Sequence, residues 1–265
     1  MPRKPASPKP DLKKDQAFIV NPKAIRWIIQ EASLKKTDTV LEVGAGTGNL
    51  TAALARSGAR VIAVENDISL ESELVKRLGR FRNVEVVIGN ALKLLDSKGI
   101  KFDKVISNIP YAISEPLIRR LIYHDFSLGV LTLPKSFAHR LIASSWEKEY
   151  SMLSFTFQRF FIVQSLLDLQ RDSFRPRPKT NSVVMKFVTK TKNSVTCHLL
   201  LRQNMVVKNA LREALCAARR FTKNEARQRI KSIESYSNLL ERKVSELSAE
   251  DIKGIVLKVA EHPEA

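Results

Sequence analysis

The ten residues Leu41–Leu50, LEVGAGTGNL, decide how this chain folds. Their first residues belong to an apolar, β-branched run, DTVLEVG (38–44), which reads as a buried strand. Gly44, Gly46 and Gly48 then follow at every second place. Glycines directly after a strand permit a tight turn and let the backbone approach a ligand closely. A helical pattern over 49–57 comes next, so the stretch opens a strand–turn–helix unit. The dinucleotide fingerprint G-x-G-x-x-G would need glycine at position 49, and Asn49 stands there. The loop therefore lacks the full cradle that a pyrophosphate requires.

Working outward, four more short apolar runs follow: ARVIAVEND (59–67), VEVVIGN (84–90), FDKVISN (102–108) and LGVLTLP (128–134). Helical patterns at 69–79, 114–123 and 136–149 separate several of them, and another at 22–32 precedes the first strand, with Pro22 in its first turn. Strands alternating with helices predict an α/β protein with a mostly parallel, Rossmann-like sheet buried on both faces. Beyond residue 150 the alternation stops. RFFIVQSLLDL (159–169) and NSVVMKFVT (181–189) read as an antiparallel hairpin at the sheet edge, joined by a stiff cationic loop carrying Arg175, Arg177 and Lys179. From about 191 the chain reads as helical, over 196–218, 222–233 and 247–260. The expected organisation is a flexible basic arm at 1–14, a main domain at 15–190 and a small all-helical domain at 191–265.

The spacing G-x-G-x-G, preceded by Glu42, is the form common to methyltransferases that use S-adenosylmethionine, a cofactor without a pyrophosphate. Glu65, at the tip of the second strand, can accept hydrogen bonds from ribose hydroxyls; the plainer alternative is a helix cap. Asn90, at the end of the third strand, can reach the edge of an adenine. Asn108-Ile109-Pro110-Tyr111 ends the fourth strand beside the same crevice. An exocyclic amine of a base is a poor nucleophile because its lone pair is delocalised into the ring. It needs orientation more than a strong base. The Asn108 carbonyl and a main-chain carbonyl held by Pro110 can accept its two N–H groups, while Tyr111 stacks on an extruded base. The plainer alternative is an Asn-Pro turn with a structural tyrosine.

Composition points the same way. Forty-five Lys and Arg against 27 Asp and Glu leave a net charge of +18, which favours a polyanionic partner. The basic residues concentrate over 202–231, and Arg219, Arg220 and Arg227 are the expected RNA contacts there. The first fourteen residues, MPRKPASPKPDLKK, have no apolar core and do not read as a secretory signal. No run reaches the roughly 18 apolar residues of a membrane span. Cys197 and Cys216 form no CxxC pair and the four histidines no ligand spacing, so neither a disulfide scaffold nor a metal site is expected. The two cysteines read as buried thiols of a cytoplasmic, reducing compartment.

DQAFIV (15–20), LEVGAGTGNL, VEND (64–67), GNAL (89–92), NIPYAIS (108–114) and FRPRPKTNSVV (174–184) occur in the order seen in the ribosomal RNA adenine dimethyltransferases, which this chain closely resembles. MVVKNALREAL (205–215) and RKVSELSAEDI (242–252) look most like the archaeal and eukaryotic small-subunit branch. The resemblance implies a class I S-adenosylmethionine-dependent methyltransferase fold with a C-terminal helical domain. It implies an enzyme that converts two adjacent adenines in the 3′-terminal hairpin of small-subunit rRNA to N6,N6-dimethyladenine; a monomer is expected. Carried over by position, Gln16, Ala17, Ile19, Gly44, Gly46, Glu65, Asn90 and Asn108 meet the cofactor, and Asn108, Pro110 and Tyr111 hold the base. Three departures stand out: Asn90 where the family usually has Asp, Pro134-Lys135-Ser136 where Gln-Lys-Glu is frequent, and Ala17 with Ile19 in the leading segment. They leave room for an assembly factor with weak turnover, and a methylase of large-subunit rRNA is the enzymatic alternative.

Overall fold

A computed structural model describes residues 17–97, 99–191 and 194–260; the basic arm expected at 1–14 lies outside the described residues. In chain order the elements begin with β1 (Phe18–Ile19), α1 (Pro22–Ala32), β2 (Thr39–Val43), α2 (Asn49–Ala55), β3 (Arg60–Glu65), α3 (Glu71–Leu78), β4 (Val84–Ile88) and α4 (Ala91–Asp96). They continue with β5 (Lys104–Asn108), α5 (Ser114–Leu121), β6 (Leu128–Pro134), α6 (Lys135–Ile142), α7 (Met152–Phe160), β7 (Phe161–Leu169), β8 (Phe174–Arg175) and β9 (Ser182–Thr189). The helices α8 (Val195–Leu200), α9 (Val207–Arg219), α10 (Lys223–Lys231), α11 (Ser237–Leu240) and α12 (Ala249–Ala260) complete the chain.

The central sheet has the order β4-β3-β2-β5-β6-β9-β7. β2, β3, β4, β5 and β6 run parallel, and the four inner ones, β2, β3, β5 and β6, have the near-continuous apolar sequences of strands covered on both faces. β9 lies antiparallel to β6, from Leu128 opposite Val188 to Pro134 opposite Ser182. The expected edge pair is therefore present as neighbours, with the later strand placed inside and β7 outside it. Strand order reverses between β2 and β5, and this is where open α/β sheets bind ligands. The two strands pair only at Val40–Lys104 and Leu41–Val105. Beyond that the Ser107 hydroxyl enters between them. It accepts from the Val43 N–H at 3.0 Å and donates to the Val43 carbonyl. A side chain thus satisfies main-chain groups that a ladder would otherwise pair, and the strand tips separate into a crevice.

The described chain divides into two compact units. One holds the described residues up to His139 together with Ile162–Thr189; the other holds Arg140–Phe161 and the described residues from Lys190 onward. In the second unit α8 packs on α7, α9 and α12, while α10 and α11 pack on α9. Its core includes Phe157, Phe160, Leu199, Leu211 and Ile252, all fully buried.

Several expected boundaries shift for local reasons. The strand expected at 159–169 is present as Phe161–Leu169, with Arg159 and Phe160 ending a helix. A capping box between Ser151 and Ser154 starts α7, which buries Leu153, Phe155, Phe157 and Phe160 before the strand begins at Phe161. The helix expected at 136–149 ends at Ile142. The helix expected at 196–218 is broken. Val207 donates to Arg242 O at 2.8 Å and Val206 bridges Lys243, so the intervening chain serves tertiary pairing instead of the helix. Sequence reading did not anticipate α4, which Asn90 caps through bonds from Leu92 N and Lys93 N at 2.9 and 3.2 Å. Nor did it anticipate the small antiparallel sheet that pairs Phe18 with Arg175 and Ile19 with Phe174.

Candidate active site

Ala17, Phe18, Gly44, Gly46, Glu65, Asn108, Ile109, Pro110 and Tyr111 line a cleft at the carboxyl ends of β2, β3 and β5. The glycine loop and the Asn108–Tyr111 loop touch. Gly44 has φ +79°, and a Cβ there would lie 2.8 Å from Pro110 Cδ. Gly46 has φ +57°, and a Cβ there would lie 2.5 Å from the Phe18 ring. Both positions need glycine twice over, for the left-handed backbone and for the close neighbour.

The loop's amides already have acceptors. Gly44 N and Ala45 N donate to Val64 O at 2.8 and 3.1 Å, and Gly46 N donates to Glu65 Oε2 at 2.8 Å. Gly48 N donates to Ala45 O at 2.9 Å. Such a loop offers little to a phosphate and suits a nucleoside ligand without one. The Asn49 side chain, at the position where the dinucleotide motif has glycine, donates to Ile19 O at 3.3 Å and accepts from Arg77 Nη1. It ties β1 and α3 to the start of α2.

Glu65 is 7% exposed. Its second oxygen, Oε1, accepts from Asp67 N at 2.8 Å, so the carboxylate clamps both the glycine loop and its own strand end. Each oxygen keeps a further lone-pair direction for a hydroxyl donor.

Asn108 Nδ2 donates to Ala17 O at 2.8 Å. Only the amide nitrogen can donate to a carbonyl, so this bond fixes the flip and leaves Oδ1 as the inward acceptor. Oδ1 is buried and has no partner among the described residues. A buried acceptor left unsatisfied costs about 1–3 kcal/mol, which an incoming N–H donor removes. Beside it, the Tyr111 hydroxyl is hydrogen-bonded to that of Ser182, fully buried at the start of β9, so the phenol is held from behind. Pro110 carries the loop into a short 3₁₀ turn, with Ile113 N donating to its carbonyl at 3.0 Å.

The remaining expected site residues stand outside the cleft lining or outside the described residues. Ile19 is 2% exposed and belongs to the hydrophobic core, so its side chain packs and does not line the cleft. Asn90 is exposed, stands outside the cleft lining and spends its Oδ1 on capping α4. Gln16 lies outside the described residues. Arg175 is the end of β8 instead of a free loop residue, and its guanidinium donates to Phe174 O at 2.8 Å. Arg177 and Lys179 are exposed. In the second unit, Arg219 ends α9, Arg220 follows as its left-handed cap at φ +59°, and Arg227 lies on α10; all three are exposed. Cys197 is buried as expected, whereas Cys216 is only half-buried. Among the described residues no helix is long and apolar enough to cross a membrane. Sequence reading missed Ser107 and Phe18, whose roles depend on neighbours far along the chain.

Glu42 was read only as part of the motif, and it is 1% exposed. Burial lifts its carboxyl to about 8, the charge of Glu65 adds to the lift, and the Thr51 hydroxyl opposes it. Its Oε2 has no partner among the described residues. The folded state thus holds this proton more tightly than the unfolded chain does. Stability from this group is fully present below the ordinary value of 4.5 and is lost as pH rises toward about 8. Glu42→Gln is therefore expected to stabilise the fold by a few kcal/mol at pH 8 and by much less at pH 5. Thermal unfolding at both pH values measures this; equal shifts would remove the buried proton from the account.

A parallel sheet reversing at a glycine loop, with an acidic tip on the next strand and a ligand cleft above them, is the class I methyltransferase fold. The family model described as "Ribosomal RNA adenine dimethylase" matches residues 11–243, and the chain belongs to that family. A "Probable ribosomal RNA small subunit methyltransferase A" of Methanosarcina acetivorans is 39% identical over 174 residues, covering 66% of this chain. The match spans 64% of that relative's length, just under two thirds. The protein of the same name from Thermococcus gammatolerans is 34% identical over 251 residues, covering 91% of this chain and 86% of its own. A solved dimethyladenosine transferase from Plasmodium falciparum superposes with a TM-score of 0.64 at 30% identity, over 91% of this chain and 96% of its own.

Proposed function

We propose that this protein is an rRNA adenine N6,N6-dimethyltransferase. It uses S-adenosylmethionine and acts as a cytoplasmic monomer on two adjacent adenines in the 3′-terminal hairpin of immature small ribosomal subunits. The observation that carries the reading is the buried, unpartnered Asn108 Oδ1 beside Pro110 and Tyr111 in the glycine-lined cleft. Gly44, Gly46 and Glu65 would hold the cofactor's nucleoside and amino-acid parts. When bound, S-adenosylmethionine supplies an electrophilic methyl group on a sulfonium sulfur. Asn108 Oδ1 accepts one N–H of the adenine amine and turns its lone pair toward the cleft. Pro110 holds the Ile109 carbonyl as a fixed acceptor for the other N–H. The Tyr111 ring, anchored through Ser182, provides a stacking face for the extruded base. No side chain need act as a strong base, because the amine becomes acidic once its new bond forms. Orientation and preorganised dipoles lower the barrier.

On this reading the helical residues beyond 190 bind RNA through Arg219, Arg220 and Arg227, and Arg175, Arg177 and Lys179 add contacts from the first unit. The basic arm at 1–14 is assigned the same partner. The deciding experiment incubates the protein with unmethylated small subunits and labelled cofactor, then maps modified nucleotides on both rRNAs. Dimethyladenine at two adjacent 3′-hairpin positions is the expected result. A modified large-subunit adenine, or no label, overturns the reading.

Asn90 supports a second reading, a subunit-assembly factor with weak turnover, because its acceptor oxygen is already spent on the helix cap. Asp caps a helix as well as Asn does, so Asn90→Asp changes charge at little cost in stability. The substitution is expected to tighten cofactor binding several-fold in a calorimetric titration. Unchanged affinity would show that position 90 does not meet the cofactor.

A further inference from the structure

Outside the cleft, the first unit carries a second concavity that the methylation chemistry does not use. Arg26 of α1, Arg56 beyond α2, and Arg77 and Arg80 of α3 and the turn after it line it, around an apolar floor that includes Val20 and Ala52. The guanidiniums are arranged, not merely accumulated. Those of Arg80 and Arg56 lie over the Phe81 ring at 5.0 and 5.9 Å. Arg77 is tied to Asn49 Oδ1 and, at 3.5 Å, to Glu73. Arg26, Arg56 and Arg80 pair with no carboxylate among the described residues. Four like charges converging on one concavity, with a single carboxylate against them, repel one another and raise the local positive potential. An anion there removes that repulsion, and planar guanidiniums match the oxygens of a phosphate group.

We infer that this arginine pocket is a binding site for the phosphodiester backbone of the RNA substrate. The position favours a strand over a small free anion. Val20 lines the pocket, while Ala17 and Phe18, in the same short segment, line the cleft. Asn49 joins the two, lining the pocket and bonding Ile19 O. A strand seated on the arginines therefore runs past the segment that walls the cleft, and the apolar floor accepts a ribose or base face between phosphates. The inference rests on the RNA-methylating reading for the identity of the strand.

The test is Arg56→Glu with Arg80→Glu, compared with Lys36→Glu with Lys101→Glu, a charge-matched pair of exposed residues outside the pocket. Binding of a small-subunit 3′-hairpin RNA is measured across a potassium chloride series. The arginine pair is expected to weaken binding at least about tenfold and to lower the slope of log K against log salt by roughly 1–2, near 0.7–0.9 per phosphate lost. The lysine pair is expected to change affinity less than about threefold. Cofactor binding by calorimetry stays at the wild-type value in both. If the reversed pair folds poorly, Arg56→Gln with Arg80→Gln is expected to show the same slope change in smaller degree. A slope equal to that of the lysine control overturns the site. Calorimetric binding of inorganic phosphate to wild type only, with an unchanged RNA slope, assigns the pocket to a free phosphate and overturns the RNA assignment. Wild-type protein that binds the hairpin but transfers no methyl overturns the methylation reading alone, since the slope comparison stands without turnover.

Discussion

Asn108→Ala is expected to lower kcat for methyl transfer by about 100- to 1,000-fold, the usual effect of deleting one preorganised polar group at a reacting centre. The side chain has two jobs, and they sit on different atoms. Nδ2 holds the Ala17 carbonyl at 2.8 Å, and Oδ1 waits, buried, for a donor. Alanine removes both. Affinity for hairpin RNA is expected to change less than about threefold, because on the proposed reading affinity comes from phosphate contacts at the arginines outside the cleft. Asn108→Asp separates the jobs. A carboxylate still accepts from an amine, but it cannot donate to Ala17 O and places a negative charge against that carbonyl dipole. It is expected to keep part of the activity that alanine loses while weakening the wall at residue 17. Single-turnover methylation with saturating RNA measures both variants. If alanine left single-turnover rates at the wild-type level, the amine-orienting role would be wrong, and the unpartnered oxygen would be a structural defect without chemical use.

What the sequence made legible, and what it hid, follows from the range of the interactions involved. The parallel strands are short, apolar and β-branched, and in β2, β3, β5 and β6 most side chains on both faces are buried, so local pattern and tertiary demand agree. The glycine loop was readable because a left-handed turn after a strand has few other solutions. Glu65 and Asn108 were readable because strand ends in such sheets converge on one crevice. α7 has no counterpart in the sequence reading, which begins a strand at Arg159, because its aromatic residues carry no clear helical pattern, while burial of Phe155, Phe157 and Phe160 inside the second unit and the Ser151–Ser154 cap favour a helix. Ser107 was invisible for a different reason. A serine inside an apolar run carries no signal until β2 lies next to it and Val43 needs partners. Phe18 likewise gains its meaning only from Gly46, and the capping role of Asn90 was hidden because no pattern announced α4.

Gly44→Ala is expected to remove methyl transfer almost completely while the chain still folds. Two effects combine at this position. An alanine forced to φ +79° costs about 1–2 kcal/mol, which the fold can survive. The added methyl also meets Pro110 Cδ at 2.8 Å, and the ring is held in a loop whose neighbours, Asn108 and Tyr111, are both hydrogen-bonded in place. Either the glycine loop retreats or the proline does, and each movement shifts one side of the cleft against the other. A displacement of about 1 Å at a reacting centre is enough for a hundredfold loss. Gly89→Ala is the control. A Cβ at that position meets nothing within 4 Å, so the same added methyl is expected to leave activity and melting temperature near wild type. Measuring kcat/KM and Tm for both variants separates a general glycine effect from the contact with Pro110. Should Gly44→Ala retain activity within about threefold of wild type, the two loops would not form one interlocked unit, and the base-holding geometry would have to arise from the Asn108 loop by itself.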